Sequence, residues 1–174
     1  PDFGRLFSPR TQMLFGQMVR EMFPPDLSAE NMASLLQLSL QTLAMSIFAI
    51  AVAGVFGIVL AQPAARRAMG ARWPYWLARG SLLFLRAIPA PVWALLFLFV
   101  MFPGPLPGAL AIAVHNLGIL GRLIAEAVEH VDQRPMRALR HGGTPPAHAV
   151  LYSTLPMTIP QSLAYIFYRW EVCA

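Results

Sequence analysis

The chain has 174 residues, 57% hydrophobic and 12% charged, with a formal net charge of +5 and no lysine anywhere. Without lysine it cannot carry a Walker A loop, whose lysine reaches the nucleotide phosphates, nor any lysine Schiff base. No charged residue falls between Glu30 and Arg66 or between Arg86 and Arg122. Each gap exceeds the roughly 20 apolar residues that cross a bilayer, which excludes a water-soluble fold.

From the N-terminus, residues 1–31 mix charges of both signs with Pro9, Pro24 and Pro25. The run TQMLFGQMVREMF has the spacing of an amphipathic helix, which either lies along the membrane surface or packs on the spans. Ser28 has the chemistry of a cap for the next helix. A first span is expected over about 32–62, with Gly54 and Gly57 as small residues for close helix approach. Arg66, Arg67, Arg72 and Arg79 follow with no acidic residue beside them, the mark of a cytoplasmic loop. That puts the N-terminal segment on the outer side.

A second span is expected over about 80–102, with Arg86 snorkelling near its inner end. Pro89 and Pro91 each remove a backbone donor and should bend or break it. The PGPLPG run at 103–108 reads as an outer turn, and a third span over about 109–127 carries His115 and Asn116. Arg122, Glu126 and Glu129 then read as an ion-paired, solvated helical face. A fourth span is expected over about 147–170, with Pro156 and Pro160 inside it. The arginines flank apolar runs, so they read as topology signals rather than a nucleic-acid face.

Between the third and fourth spans lies the segment 137–156, RALRHGGTPPAHAVLYSTLP. Asp132 is placed to cap a short helix through Arg140, with Gly142 or Gly143 as its left-handed stop. Thr144 and Pro145 are placed to start the next helix. Ala138, Gly143, Leu155 and Pro156 fall on the spacing E-A-A-x-x-x-G-x9-I-x-L-P, which resembles the loop by which ABC-importer permeases dock on their ATPase. Arg137 stands where that pattern has its acid, Leu139 at its third position and Ser153 at its isoleucine. The reversal at Arg137 implies either a compensating acidic residue on the ATPase or altered coupling.

From about residue 23 onward the chain resembles the phosphonate/phosphite-type permeases of ABC importers. The residues carrying this are FPPD (23–26), LRAIPAPVWALLF (85–97), GALAIAVHNLGILGRLIAEAVEHVD (108–132) and YRWEV (168–172). The resemblance implies an all-α integral membrane protein, a helical bundle of the type I ABC importer permease class with about four spans here. Its organisation would be an outer-side segment over 1–31 and a permease domain over 32–174, incomplete at its C-terminus, with a coupling loop over about 129–148.

The resemblance also implies function: a permease subunit that moves phosphonate or a related phosphorus oxyanion across the bacterial cytoplasmic (inner) membrane by alternating access. ATP and Mg would be bound by a separate ATPase pair, and this chain would hold no cofactor and be no enzyme by itself. An extracytoplasmic binding protein and a second permease copy complete the expected partners, with no nucleic acid. Residues expected at the ATPase-coupling loop are Arg137, Ala138, Gly143, Leu155 and Pro156. An anion crossing hydrocarbon needs convergent donors or fixed positive charge. Candidates for that pathway are His115, Asn116, Arg169 and Glu171, the last two able to pair with each other or with neighbouring helices. For Arg122 an inner-end anchor is the favoured role.

The four histidines lack metal-ligand spacing, Cys173 is the single cysteine, and no catalytic triad or glycine-rich nucleotide loop is present. The proline at residue 1 and the stop after RWEVCA read as an interior piece of a longer permease. Alternatives remaining open are a permease of the same fold for another solute, or a non-conducting scaffold that binds an ATPase.

Overall fold

A computed structural model describes residues 9–22, 28–65 and 72–173; the FPPD motif with Pro24 and Pro25, and Arg66 and Arg67, lie outside them. The chain divides into two compact units, Pro1–Leu40 and Gln41–Ala174. In the first, α1 (Pro9–Met22) sets Phe15, Met18, Val19 and Met22 at helical spacing and ends with Arg20 in its last turn. The helix α2 (Ala29–Ala64) begins in this unit, and Ser28 Oγ accepts the Asn31 N–H at 3.4 Å, as its cap chemistry predicts.

In the second unit α2 is built inside out relative to a soluble helix. Ala49, Ala53, Gly57 and Ala61 recur every fourth residue and are buried, while Ile47, Val55, Phe56 and Val59 point outward. Lipid is as apolar as leucine, so small residues that let backbones approach face inward and bulky ones face the hydrocarbon.

The second expected span is two helices, α3 (Arg72–Ala87) and α4 (Ala90–Val100), meeting at 92°. Proline explains the corner. Pro89 has no N–H, so the Leu85 carbonyl loses its ordinary helical donor. Trp93 Nε1–H replaces it at 3.3 Å, and His115 Nδ1–H donates to the Ile88 carbonyl at 3.0 Å. Because a carbonyl only accepts, that contact puts the imidazole proton on Nδ1. Two carbonyls freed by the break are thus answered by side chains, which is how broken helices persist in lipid.

The next helix, α5 (Pro105–His130), starts inside the PGPLPG run rather than after it. Pro105 takes the first helical position, where a missing N–H costs nothing. The core packs α5 against α2 and α3 around Leu82, Leu120 and Ile124. Gly118 makes the α3 contact possible: a Cβ there would lie 2.6 Å from the backbone nitrogen of Arg86. After α6 (Arg134–His141), α7 (Pro146–Ala149) runs into a π-helical turn (Val150–Thr154) and then α8 (Leu155–Cys173). Pro156 accounts for the widening, since its ring clashes with the carbonyl four residues back. The hydroxyls of Ser153, Thr158 and Ser162 each donate to the carbonyl four residues earlier, at 2.6, 3.0 and 2.8 Å.

Among the described residues, two helices, α2 and α5, are long and apolar enough to cross a membrane, and the bent α3–α4 pair makes three if it forms one span. Two or three of the about four expected spans meet this test, and α8, the fourth, does not. The difference at α8 is polarity: Thr158, Gln161, Ser162, Arg169 and Glu171 interrupt its 19 residues.

Candidate functional site

The expected coupling loop folds as a short helix clamped from behind. On α6, Met136 is buried and Leu139 half-buried, packing on Ala65, Val128, Ala149 and Val150. The opposite side presents Arg134, Arg137, Ala138, Arg140 and His141 to solvent, with no acidic residue in the helix. Asp132 Oδ1 accepts the Arg134 N–H at 3.0 Å, although Gln133 occupies the cap position itself. Asp132 therefore acts one residue outside the expected place.

The helix ends in a full Schellman motif. Gly143, at φ +83°, donates to the Arg140 carbonyl, and Thr144 N–H donates to the Leu139 carbonyl, both at 3.1 Å. The left-handed residue is Gly143, and Gly142 stays at φ −76°. Only glycine takes such a φ without a steric cost. The following helix starts one residue later than expected: Pro146 holds its first position, and no Thr144 cap forms. The reason is that Pro145 is extended, at ψ 146°, which carries the chain straight from the glycine stop into α7.

Two side chains that sequence reasoning passes over hold the loop in place. Gln133 is buried, and its Nε2 donates to the carbonyls of Val128 and Val131 at 3.2 and 3.3 Å, closing the end of α5. Thr154 Oγ1–H reaches Met136 Sδ at 3.5 Å, tying α6 to the π turn. Leu155 and Pro156 lie where that turn becomes α8. The five residues expected in the loop thus fall at three places: Arg137 and Ala138 on the exposed face, Gly143 at the stop, Leu155 and Pro156 at the junction.

Behind the loop, Arg79 gathers three helices. Its Nη1 lies 2.9 Å from Glu129 of α5 and 3.4 Å from the Ala64 carbonyl that ends α2, and its guanidinium sits over the Tyr75 ring. The expectation that Arg79 has no acidic counterpart is corrected: the partner lies 50 residues away in sequence. Arg122 pairs with Glu126 at 2.6 Å, one turn along α5, as its spacing predicts, while Glu129 turns to Arg79.

Of the four pathway candidates, the fold brings two together. Arg169 of α8 donates from Nε and Nη2 to Asn116 Oδ1 at 3.0 and 2.5 Å. Asn116, 2% exposed, donates from Nδ2 to the Ile112 carbonyl and to Cys173 Sγ. His115 faces the α3–α4 corner instead, bonded to Ile88. Glu171 is exposed and forms no ion pair among the described residues, so the possible Arg169–Glu171 pair is absent. The two side chains point different ways because two residues along a helix is about 200° of rotation. No group of three or more metal-ligating side chains occurs among the described residues.

Comparison with known proteins agrees with this architecture. The chain is 38% identical over 151 residues to the phosphite transport system permease protein PtxC of Stutzerimonas stutzeri, covering 87% of this chain and 54% of that one. It is 32% identical over 155 residues to the phosphate-import permease protein PhnE of Mycolicibacterium smegmatis, covering 89% of this chain and 29% of that one. The chain therefore spans about half the length of the phosphite permease it matches, and less of the phosphate one. A crystal structure of an amino acid ABC transporter with histidines superposes with a TM-score of 0.63 at 21% identity, over 86% of this chain and 72% of that one, a likeness of fold. The family described as the binding-protein-dependent transport system inner membrane component matches residues 53–172, and the chain belongs to that family.

Proposed function

We propose that this chain is a permease subunit of an ATP-driven importer that carries a phosphorus oxyanion, phosphite or a phosphonate, across the bacterial inner membrane by alternating access. The observation that carries the reading is α6. It is a helix with an exposed basic face, stopped by the Schellman motif at Gly143 and packed on the ends of α2, α5 and the π turn. A push on such an element moves the helices behind it, because close-packed contacts transmit displacement rather than absorb it. The similarity to phosphite and phosphate permeases supports the substrate class.

On this reading ATP and Mg belong to a separate ATPase pair, whose closure acts on α6. A binding protein delivers the anion from outside, and two permease copies enclose the path. The exposed Arg137 and Arg140 call for acidic residues on the ATPase surface, by charge complementarity. The experiment is ATP-dependent uptake by the reconstituted permease with its neighbouring ATPase and binding protein, offering radiolabelled phosphite, methylphosphonate and phosphate in parallel. Selective uptake of one of the first two is the expected result. No uptake of any, with ATPase binding intact, would replace it with another solute or a non-conducting scaffold.

A further inference from the structure

Asn116 is 11 residues from the first residue of α5 and 14 from its last. At 1.5 Å per residue the start of the helix is about 17 Å away and Arg122, where its charged end begins, about 9 Å away, so Asn116 lies within the apolar stretch that crosses the hydrocarbon. The guanidinium bonded to it therefore sets a positive charge beside the apolar stretch of α5. Among the described residues no carboxylate lies within ion-pair distance of Arg169, and its bonds go to one neutral amide oxygen. A charge so placed is costly, and balance by a neutral amide leaves most of that cost standing.

Asn116 is saturated by this arrangement. Its oxygen accepts two bonds and its nitrogen gives two. Arg169 is not. The amide takes the edge formed by Nε and Nη2, which leaves one N–H of Nη1 and one of Nη2 as a second, parallel-donor edge. Trp170, the next residue, donates to Ser46 Oγ at 3.2 Å, so α8 is anchored on α2 beside the charge. The fork is thus held in orientation with one edge unused.

A planar guanidinium edge matches two oxygens of a tetrahedral oxyanion, and such charge-assisted, bidentate bonds strengthen where water is scarce. We infer that Arg169, oriented by Asn116, is the binding site for the transported phosphorus oxyanion, on the Nη1/Nη2 edge. The assignment rests on the proposed function. Arg169 touches the anion; Asn116 acts through Arg169 as a positioning residue. The charge without a fixed partner is the expected design for a counter-ion that must arrive and leave.

The test uses the permease reconstituted with its ATPase and binding protein, and radiolabelled phosphite, methylphosphonate and phosphate. If the wild-type complex takes up none of them, the proposed function falls and the site falls with it. With wild-type uptake of one established, Asn116→Asp is decisive. If Arg169 merely ties α8 to α5, a carboxylate tightens the tie and uptake stays at the wild-type rate, which overturns the site. If Arg169 binds the anion, the carboxylate neutralises it permanently, and uptake falls by about 100-fold.

Arg169→Lys keeps the charge and a donor toward Asn116 but loses the fork, and uptake should fall about tenfold. Co-purification of the ATPase reports assembly for each variant. If Asn116→Asp does not assemble, Arg169→Lys carries the test, and an unchanged rate in it overturns the site while leaving the proposed function standing.

Discussion

The loop around α6 and the cluster around Arg169 were built by opposite means. In the loop, the start and the stop of α6 are set by residues within a few positions of one another: Asp132 on Arg134, Gly143 on Arg140, Thr144 on Leu139. In the membrane interior the decisive contacts join distant segments. Arg169 meets Asn116 across 53 residues, and His115 meets Ile88 across 27. Capping and stop signals act through adjacent backbone groups, so they are readable locally, whereas an intramembrane polar group takes whatever partner packing brings to it.

The sharpest way to break the contrast is at a close approach in the membrane half. Gly118→Leu forces side-chain atoms onto the backbone of Arg86, where Leu82 and Arg86 leave no room. We expect loss of the folded permease or destabilisation by about 3 kcal/mol, read from thermal melting in detergent. A variant that melts like wild type would show that α3 and α5 do not pack through Gly118.

The loop half is tested next by Gly143→Val. A β-branched residue resists the left-handed φ at a strain of about 1–2 kcal/mol, enough to unmake the Schellman stop. The protein should stay in the membrane while ATP hydrolysis no longer drives uptake, with uptake about tenfold lower. Normal uptake would remove the coupling assignment. Arg137→Glu asks what the loop faces: affinity for the native ATPase should fall about tenfold through charge reversal. Unchanged affinity in a pull-down titration would mean that Arg137 does not face the partner.

The smallest effect sharpens the description of the corner. Trp93→Phe keeps the ring contacts near Phe84 and Phe97 but removes the N–H that serves the Leu85 carbonyl. We expect destabilisation of about 1–2 kcal/mol, the cost of leaving a carbonyl unpaired away from water. No change in melting would show that the carbonyl finds another donor.

Much of the fold was legible in advance because membrane segments obey few constraints. Uncharged runs marked α2 and α5, and Pro89 marked the break between α3 and α4. Single prolines misled where they sit at helix starts: Pro105 opens α5 inside the expected turn, and Pro146 rather than Pro145 opens α7. The loop residues were legible through their spacing, down to Gly143. Gln133, Met136 and the Arg79–Glu129 pair were not, since nothing in a lone glutamine, methionine or arginine states which carbonyl or carboxylate it will meet. Trp93 four residues after Pro89 was the one available signal left unread.

By itself, the sequence determined where the long apolar runs lie, where its helices break and where α6 stops, because these follow from composition, proline rings and glycine φ within a turn or two. Only the tertiary structure decided that Arg79 joins three helices, that His115 serves a broken corner, and that Asn116 and not Glu171 receives Arg169. Those choices depend on which helix faces pack together, and the side-chain hydrogen bonds that follow join groups far apart in the chain.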